Sequence, residues 1–167
     1  MGTSDNLQAA FAGESQANRK YLAFAKRAEE EGKAQIAKLF RAAAAAETVH
    51  AHAHLRALKG VGTTAENLAA AIAGEAHEYQ SMYPPFVATA EQEGHKPALV
   101  SFRNALAVEK THHDLFAQAL ASLEAGRDLA GSEIWVCQVC GHTHVGGEPP
   151  DQCPVCKALK KMFTKVA

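Results

Sequence analysis

Glu47-Thr-Val-His50 and Glu109-Lys-Thr-His112 decide the fold. Each lies within an apolar stripe of helical period: Ile36, Phe40, Ala43, Glu47, His50, His54, Ala57 in one, and Phe102, Ala105, Glu109, His112, Phe116, Leu123 in the other. Residues three apart on a helix share a face, with Cβ atoms roughly 5–6 Å apart. Each pair therefore aims a carboxylate and an imidazole at one point. A carboxylate on a core-facing stripe is costly unless it is paired or bound to a metal. Working outward, Glu14 falls on the stripe Leu7, Phe11, Glu14, Asn18, Tyr21, Ala25, Ala28, and Glu75 and Glu78 fall on Leu68, Ala71, Glu75, Glu78, Met82, Phe86. One glutamate from each of two helices plus Glu-x-x-His from each of two others is the ligand set of a two-metal helical bundle. This chain carries one glutamate more.

The spacing predicts helices over residues 5–31, 33–59, from just after Thr63-Thr64 to about Gly94, and from about Pro97 to Gly126. Asp5 is the expected first N-cap, and glycines end the helices. Pro84-Pro85 should kink or break the third helix, because each proline removes a backbone donor. Short connections favour antiparallel neighbours. The expected fold is mainly α: a four-helix bundle over residues 1–130, then a small metal-bound β/loop domain over residues 131–167.

That second segment holds every cysteine of the chain, as Cys137-x-x-Cys140 and Cys153-x-x-Cys156. Two such turns converge on a tetrahedral ion, zinc or a single iron. Spacing alone leaves that choice open. Beside a redox-active bundle, iron is the better fit. Gly141 permits a tight turn that aims backbone N–H groups at sulfur, and Trp135 and Phe163 are candidates to cover the site. His142 and His144 read as surplus surface residues.

Carboxylates with some imidazole suit iron or manganese at the bundle site. Charge counting gives the extra glutamate a role. Two ferrous ions carry a charge that four glutamates neutralise, and two ferric ions call for more anionic ligation. One third-helix glutamate would bind only the oxidised pair and give way to a histidine on reduction. Charge alone does not choose between Glu75 and Glu78.

Lys and Arg number 17 against 18 Asp and Glu, a net charge of −1. No basic field invites nucleic acid or an anionic membrane. No apolar run reaches the length of a membrane span, and the N-terminus shows no signal peptide. The expected location is the cytoplasm.

Taken together, Glu14, Glu47-Thr-Val-His50, Gly74-Glu75-Ala-His-Glu78-Tyr, Met82-Tyr83-Pro84, Val108-Glu109-Lys-Thr-His112, Trp135-Val-Cys137-Gln-Val-Cys140-Gly and Cys153-Pro-Val-Cys156 resemble the rubrerythrin family over essentially the whole chain. The resemblance implies a ferritin-like bundle holding two non-haem irons, and a rubredoxin-like tail holding one iron on Cys137, Cys140, Cys153 and Cys156. Zinc could replace iron in a recombinant sample. It implies an oxidoreductase, a peroxidase that reduces hydrogen peroxide to water in oxidative-stress protection. Electrons would pass through the cysteine-bound iron, supplied by a rubredoxin, a ferredoxin or a flavoprotein reductase.

Carried over by motif, Glu47 and Glu109 would bridge the irons. Glu14 would bind one iron, and Glu75 with His112 the other. Glu78 and His50 would be the exchanging pair, and Tyr21 and Tyr83 would hydrogen-bond around the site. The family forms homodimers, head to tail and in some cases with exchanged helices. The fourth helix runs about 13 residues past His112, roughly 20 Å, so the tail should lie far from the bundle site of its own chain. The competing reading is a ferritin-like ferroxidase that handles iron with O2, against which the cysteine tail speaks.

Overall fold

The structure, a computed structural model, describes residues 2–167. Two compact units divide the chain, one ending at Gly62 and the other spanning Thr63–Ala167.

The first unit is a hairpin of two helices, α1 (Thr3–Glu30) and α2 (Ala34–Ala57). They pack through small residues: Ala25 and Ala28 on α1, and Ala37, Ala44 and Ala51 on α2, are buried. Asn18 is buried among them and is satisfied there. Its amide donates to the Ala44 carbonyl at 2.7 Å and to Thr48 Oγ1 at 2.8 Å. The helix starts two residues earlier than expected, since Asp5 does not cap it. Instead its carboxylate reaches back to accept from the Gly2 N–H at 2.8 Å. The end of α2 is also met differently. Lys59, not a glycine, takes the left-handed conformation (φ 56°). Gly60 follows where a Cβ would collide with the Leu55 side chain.

In the second unit, α3 (Thr64–His77) opens with a capping box. Glu66 N–H donates to Thr63 Oγ1, and Thr63 N–H donates to the Glu66 carboxylate at 2.7 Å. The helix then widens into a π-helical turn, Glu78–Met82, in which Tyr83 N–H reaches back to the Glu78 carbonyl. The next helix, α4 (Tyr83–Gln92), begins there and holds Pro84 and Pro85 in its first turn. The prolines thus neither end the helical path nor waste a donor, because the wide turn absorbs them. Counted through this turn, the described residues form four long helices. The last, α5 (Lys96–Glu124), packs against both α3 and α4.

The C-terminal module is a three-stranded antiparallel sheet in the order β2-β1-β3. Its strands are β1 (Ile134–Cys137), β2 (Thr143–Val145) and β3 (Phe163–Lys165). Val136 faces Thr143 on one side and Thr164 on the other. Cys137, Cys153 and Phe163 form its buried centre, with Trp135 and Val155 packed against them. The architecture is therefore mainly helical with a small tetracysteine domain, as the sequence predicts.

The position of the module is not as predicted. Its strand β2 touches α5. A Cβ placed on Gly141 would lie 3.8 Å from Val108 Cγ1. The length of α5 does not separate the tail from the α3–α5 ligands, because the segment after Gly126 turns back. Arg127 N–H donates to the Ser122 carbonyl, and Ser122 Oγ donates to the Asp128 carbonyl at 2.9 Å.

Candidate metal centres

Six of the seven bundle candidates gather into two triads. On the α1–α2 hairpin, Glu14, Glu47 and His50 each offer one ligand atom, all within 4.8 Å of one another. His50 Nδ1 lies 2.8 Å from Glu47 Oε2 and 3.9 Å from Glu14 Oε1. In the second unit, Glu75, Glu109 and His112 meet the same criterion. His112 Nδ1 lies 2.9 Å from Glu109 Oε2 and 3.8 Å from Glu75 Oε2. In each triad the Glu-x-x-His spacing brings imidazole and carboxylate together on one helix, and a glutamate from the helix packed against it completes the group.

The second triad is under electrostatic stress. Burial, helped by the neighbouring Glu109 charge and opposed by His112, raises the Glu75 pKa to about 6. Glu75 Oε2 is buried and has no hydrogen-bond partner. A cation would satisfy this oxygen and relieve the repulsion between Glu75 and Glu109, so the residues fit a metal.

Glu78 lies outside both triads, at the start of the π-helical turn. Burial and the Glu109 charge raise its pKa also. Tyr83 feels Glu109, Glu78 and Glu75, and burial together with these charges holds its phenol neutral well above the usual range. A neutral phenol beside carboxylates is a hydrogen-bond donor. Tyr21, by contrast, stands in an aromatic cluster, its ring centroid 6.3 Å from Phe24 and 6.2 Å from Phe40. The second unit repeats this cluster as Tyr83, Phe86 and Phe102, at 6.2 and 6.3 Å from the tyrosine. Phe40 precedes Glu47 by seven residues, as Phe102 precedes Glu109. Tyr21 follows Glu14 by seven, whereas Tyr83 follows Glu75 by eight. The extra residue falls in the π-helical turn.

The four cysteines are free thiols whose sulfurs converge. Cys137 Sγ lies 3.7 Å from Cys156 Sγ, and Cys140 Sγ lies 3.6 Å from Cys153 Sγ. These are far too long for a disulfide. A tetrahedron with metal–sulfur bonds of about 2.3 Å has edges of about 3.8 Å, so the thiols already stand at ligand spacing. Burial, with the neighbouring thiols, pushes Cys140 strongly up, and burial also raises Cys156. Burial works the same way on Cys137, but N–H groups of Val139 and Cys140 aimed at its sulfur outweigh it and lower the pKa. Four thiolates in this space need a cation. Gly141 follows the first pair at φ 86°, and Lys157 occupies the matching position after the second pair at φ 63°.

Two residues here escaped the sequence reading. His142 is not a surface residue: its Nδ1 is buried without a partner, its ring meets Phe163 edge-on, and burial lowers its pKa. Thr143 Oγ1 lies 3.0 Å from His112 Nε2. A threonine between two histidines carries no periodic signal, so nothing in the sequence pointed to it.

Glutamate–histidine triads on paired helices, with a tetracysteine module appended, define a helical carboxylate–histidine metal protein carrying a second, thiolate-bound metal. The family model described as Rubrerythrin matches residues 5–120, and that described as Rubrerythrin, rubredoxin-like domain, matches residues 135–164. The chain belongs to the rubrerythrin family. It is 35% identical to Rubrerythrin-2 of Clostridium acetobutylicum, over 96% of this chain and 95% of that one. It is 38% identical to the rubrerythrin of Porphyromonas gingivalis, over 96% and 88%. A solved structure described as the fully reduced, all-ferrous state of nigerythrin matches with a TM-score of 0.58 and 33% identity, covering 99% of this chain and 88% of that one. The cofactors are accordingly a di-iron site of glutamates and histidines and a rubredoxin-like site of four cysteines. No helix among the described residues is long and apolar enough to cross a membrane.

Proposed function

We propose that this chain is a cytoplasmic peroxidase that reduces hydrogen peroxide to two molecules of water, taking up two electrons and two protons. The observation that carries the reading is the tetracysteine module seated on α5, with Thr143 hydrogen-bonded to His112 of a glutamate triad. A ferroxidase that only stores iron has no need of a one-electron centre beside its carboxylates. The residues that would hold the irons are Glu14, Glu47 and His50 in one triad and Glu75, Glu109 and His112 in the other. When bound, the irons supply the electrons that cleave the O–O bond.

The chain's own groups do the rest. Glu78, outside the triads, would be the further carboxylate for the oxidised irons, and His50 the histidine that takes its place on reduction. His50 suits that exchange, since its side chain is 53% exposed. The Tyr83 hydroxyl stays protonated and donates toward the carboxylates. Residues 1–130 form the di-iron domain and residues 131–167 the electron-relay domain, which receives electrons from a rubredoxin, a ferredoxin or a flavoprotein reductase. Two copies assemble as a homodimer.

The test is oxidation of anaerobically reduced, iron-loaded protein by peroxide and by O2 in parallel, followed by the visible band of the cysteine-bound iron. Peroxide should oxidise the protein rapidly at two electrons per molecule, and O2 slowly. Glu78→Ala should retain its iron in the reduced state but turn over peroxide at least about tenfold more slowly. Rapid oxidation by O2 with indifference to peroxide would establish the ferroxidase reading instead.

A further inference from the structure

We infer that Thr143 is a positioning residue of the di-iron site: its hydroxyl, carried on the tetracysteine module, holds the His112 ring so that Nδ1 faces Glu75 and Glu109. The inference rests on the assignment of Glu75, Glu109 and His112 as a metal-binding triad.

A metal-binding imidazole uses the lone pair of one nitrogen, so its other nitrogen carries the proton and needs an acceptor. In His112 the division is spatial. Nδ1 lies 2.9 Å from Glu109 Oε2, and Nε2 lies 3.0 Å from Thr143 Oγ1. Glu109 pulls the other way when no metal is bound, since its carboxylate attracts a proton onto Nδ1, the atom that must be bare for a metal. A backbone carbonyl at Nε2 could accept only. A hydroxyl both donates and accepts. Thr143 therefore keeps its bond whether Nε2 or Nδ1 carries the proton, and the ring does not swing when the proton is displaced.

The hydroxyl is itself held in place. Thr143 pairs with Val136 in the sheet, one residue from Cys137, and lies three residues after Cys140. The turn between Cys140 and Thr143 passes near Val108, since a Cβ placed on Gly141 would lie 3.8 Å from it, and Val108 is only 2% exposed and precedes Glu109. The module thus meets α5 at two adjacent points, one apolar and one polar. The two histidines also differ as this role requires: the His112 side chain is 28% exposed and tethered, and that of His50 is 53% exposed.

The full-length protein, with iron retained on its cysteines, is titrated anaerobically with Co2+ against a competing chelator. The cobalt absorption bands report ligation by the carboxylate–histidine site. Thr143→Val keeps the side-chain shape and removes the hydroxyl. It should weaken Co2+ binding about 10–100-fold, with the band of the cysteine-bound iron unchanged, and Thr143→Ser should restore binding. If the valine variant loses the cysteine-bound iron, Thr143→Ala replaces it with the same expectation. Wild-type affinity in the valine or alanine variant, or a serine variant as weak as the valine one, overturns the role of Thr143 and leaves the triad standing. Unchanged Co2+ affinity in Glu109→Ala overturns the triad and the inference with it.

Discussion

Glu75 carries the sharpest consequence at the scale of single residues. Its pKa is about 6 in the fold against an ordinary 4.5, because it is buried beside Glu109. A group whose pKa rises on folding favours the folded state while protonated and loses that contribution as pH climbs through the folded value. Without metal, the protein should therefore become more stable as pH falls from 7 toward 4.5. The share from a rise of this size is up to about 2 kcal/mol. Glu78 shifts in the same direction and adds to it. Metal binding reverses the sign, since the ligand form is the carboxylate. Thermal unfolding of the metal-free and metal-loaded protein at pH 7 and pH 5 separates the two. Glu75→Gln should flatten the metal-free profile, and an equally steep profile in that variant would place the stress elsewhere.

At the scale of elements, the two units are built on one plan. Each pairs a helix that gives one glutamate to its triad with one bearing Glu-x-x-His, and each closes with a tyrosine and two phenylalanines. The π-helical turn is where they part, with one residue more between Glu75 and Tyr83 than between Glu14 and Tyr21. Such turns behave as single-residue insertions into an α-helix and concentrate at functional sites. Here the turn opens at Glu78, the glutamate that the α1–α2 hairpin lacks. Deleting Gln80 should return the segment to regular α-helix with Tyr83 in the register of Tyr21. The variant should fold, keep its cysteine-bound iron and lose peroxide turnover. Hydrogen exchange across residues 78–83 should then slow, because wide turns open easily. Undiminished turnover would mean that Glu78 works without the turn.

The members of the two triads were legible in the sequence because each ionisable residue broke an apolar stripe whose period was plain. The cysteines were legible from spacing alone. The π-helical turn was not, since Pro84-Pro85 signals an interruption without saying which kind. Lys59 and Lys157 in left-handed conformations were invisible because lysine carries no local preference for that region. The seat of the module on α5 was misjudged. Helix length bounds a distance along an axis, and the chain after Gly126 doubles back along it.

At the scale of the whole molecule, the distribution of apolar side chains argues for a partner. The buried apolar residues of the helical part are six alanines and Val108. Larger side chains remain open: Phe24 at 47%, Ile36 at 51% and Leu39 at 69% in the first unit, and Phe86 at 44% and Val100 at 60% in the second. Large apolar side chains left in water mark an interaction surface where they lie side by side. The homodimer proposed above would cover it, and stability would then depend on concentration, because dissociation accompanies unfolding. Each tenfold rise in protein concentration should add about 1.4 kcal/mol per dimer. Sedimentation at micromolar protein should give twice the chain mass, and the thermal midpoint of the helical signal should climb from one to a hundred micromolar. Replacing Ile36 and Leu39, neither of them a member of a triad, with lysine should shift the protein toward monomer and abolish that climb. A monomer at a hundred micromolar with a fixed midpoint would mean that the exposed side chains serve no self-association, and the proposed assembly would fall.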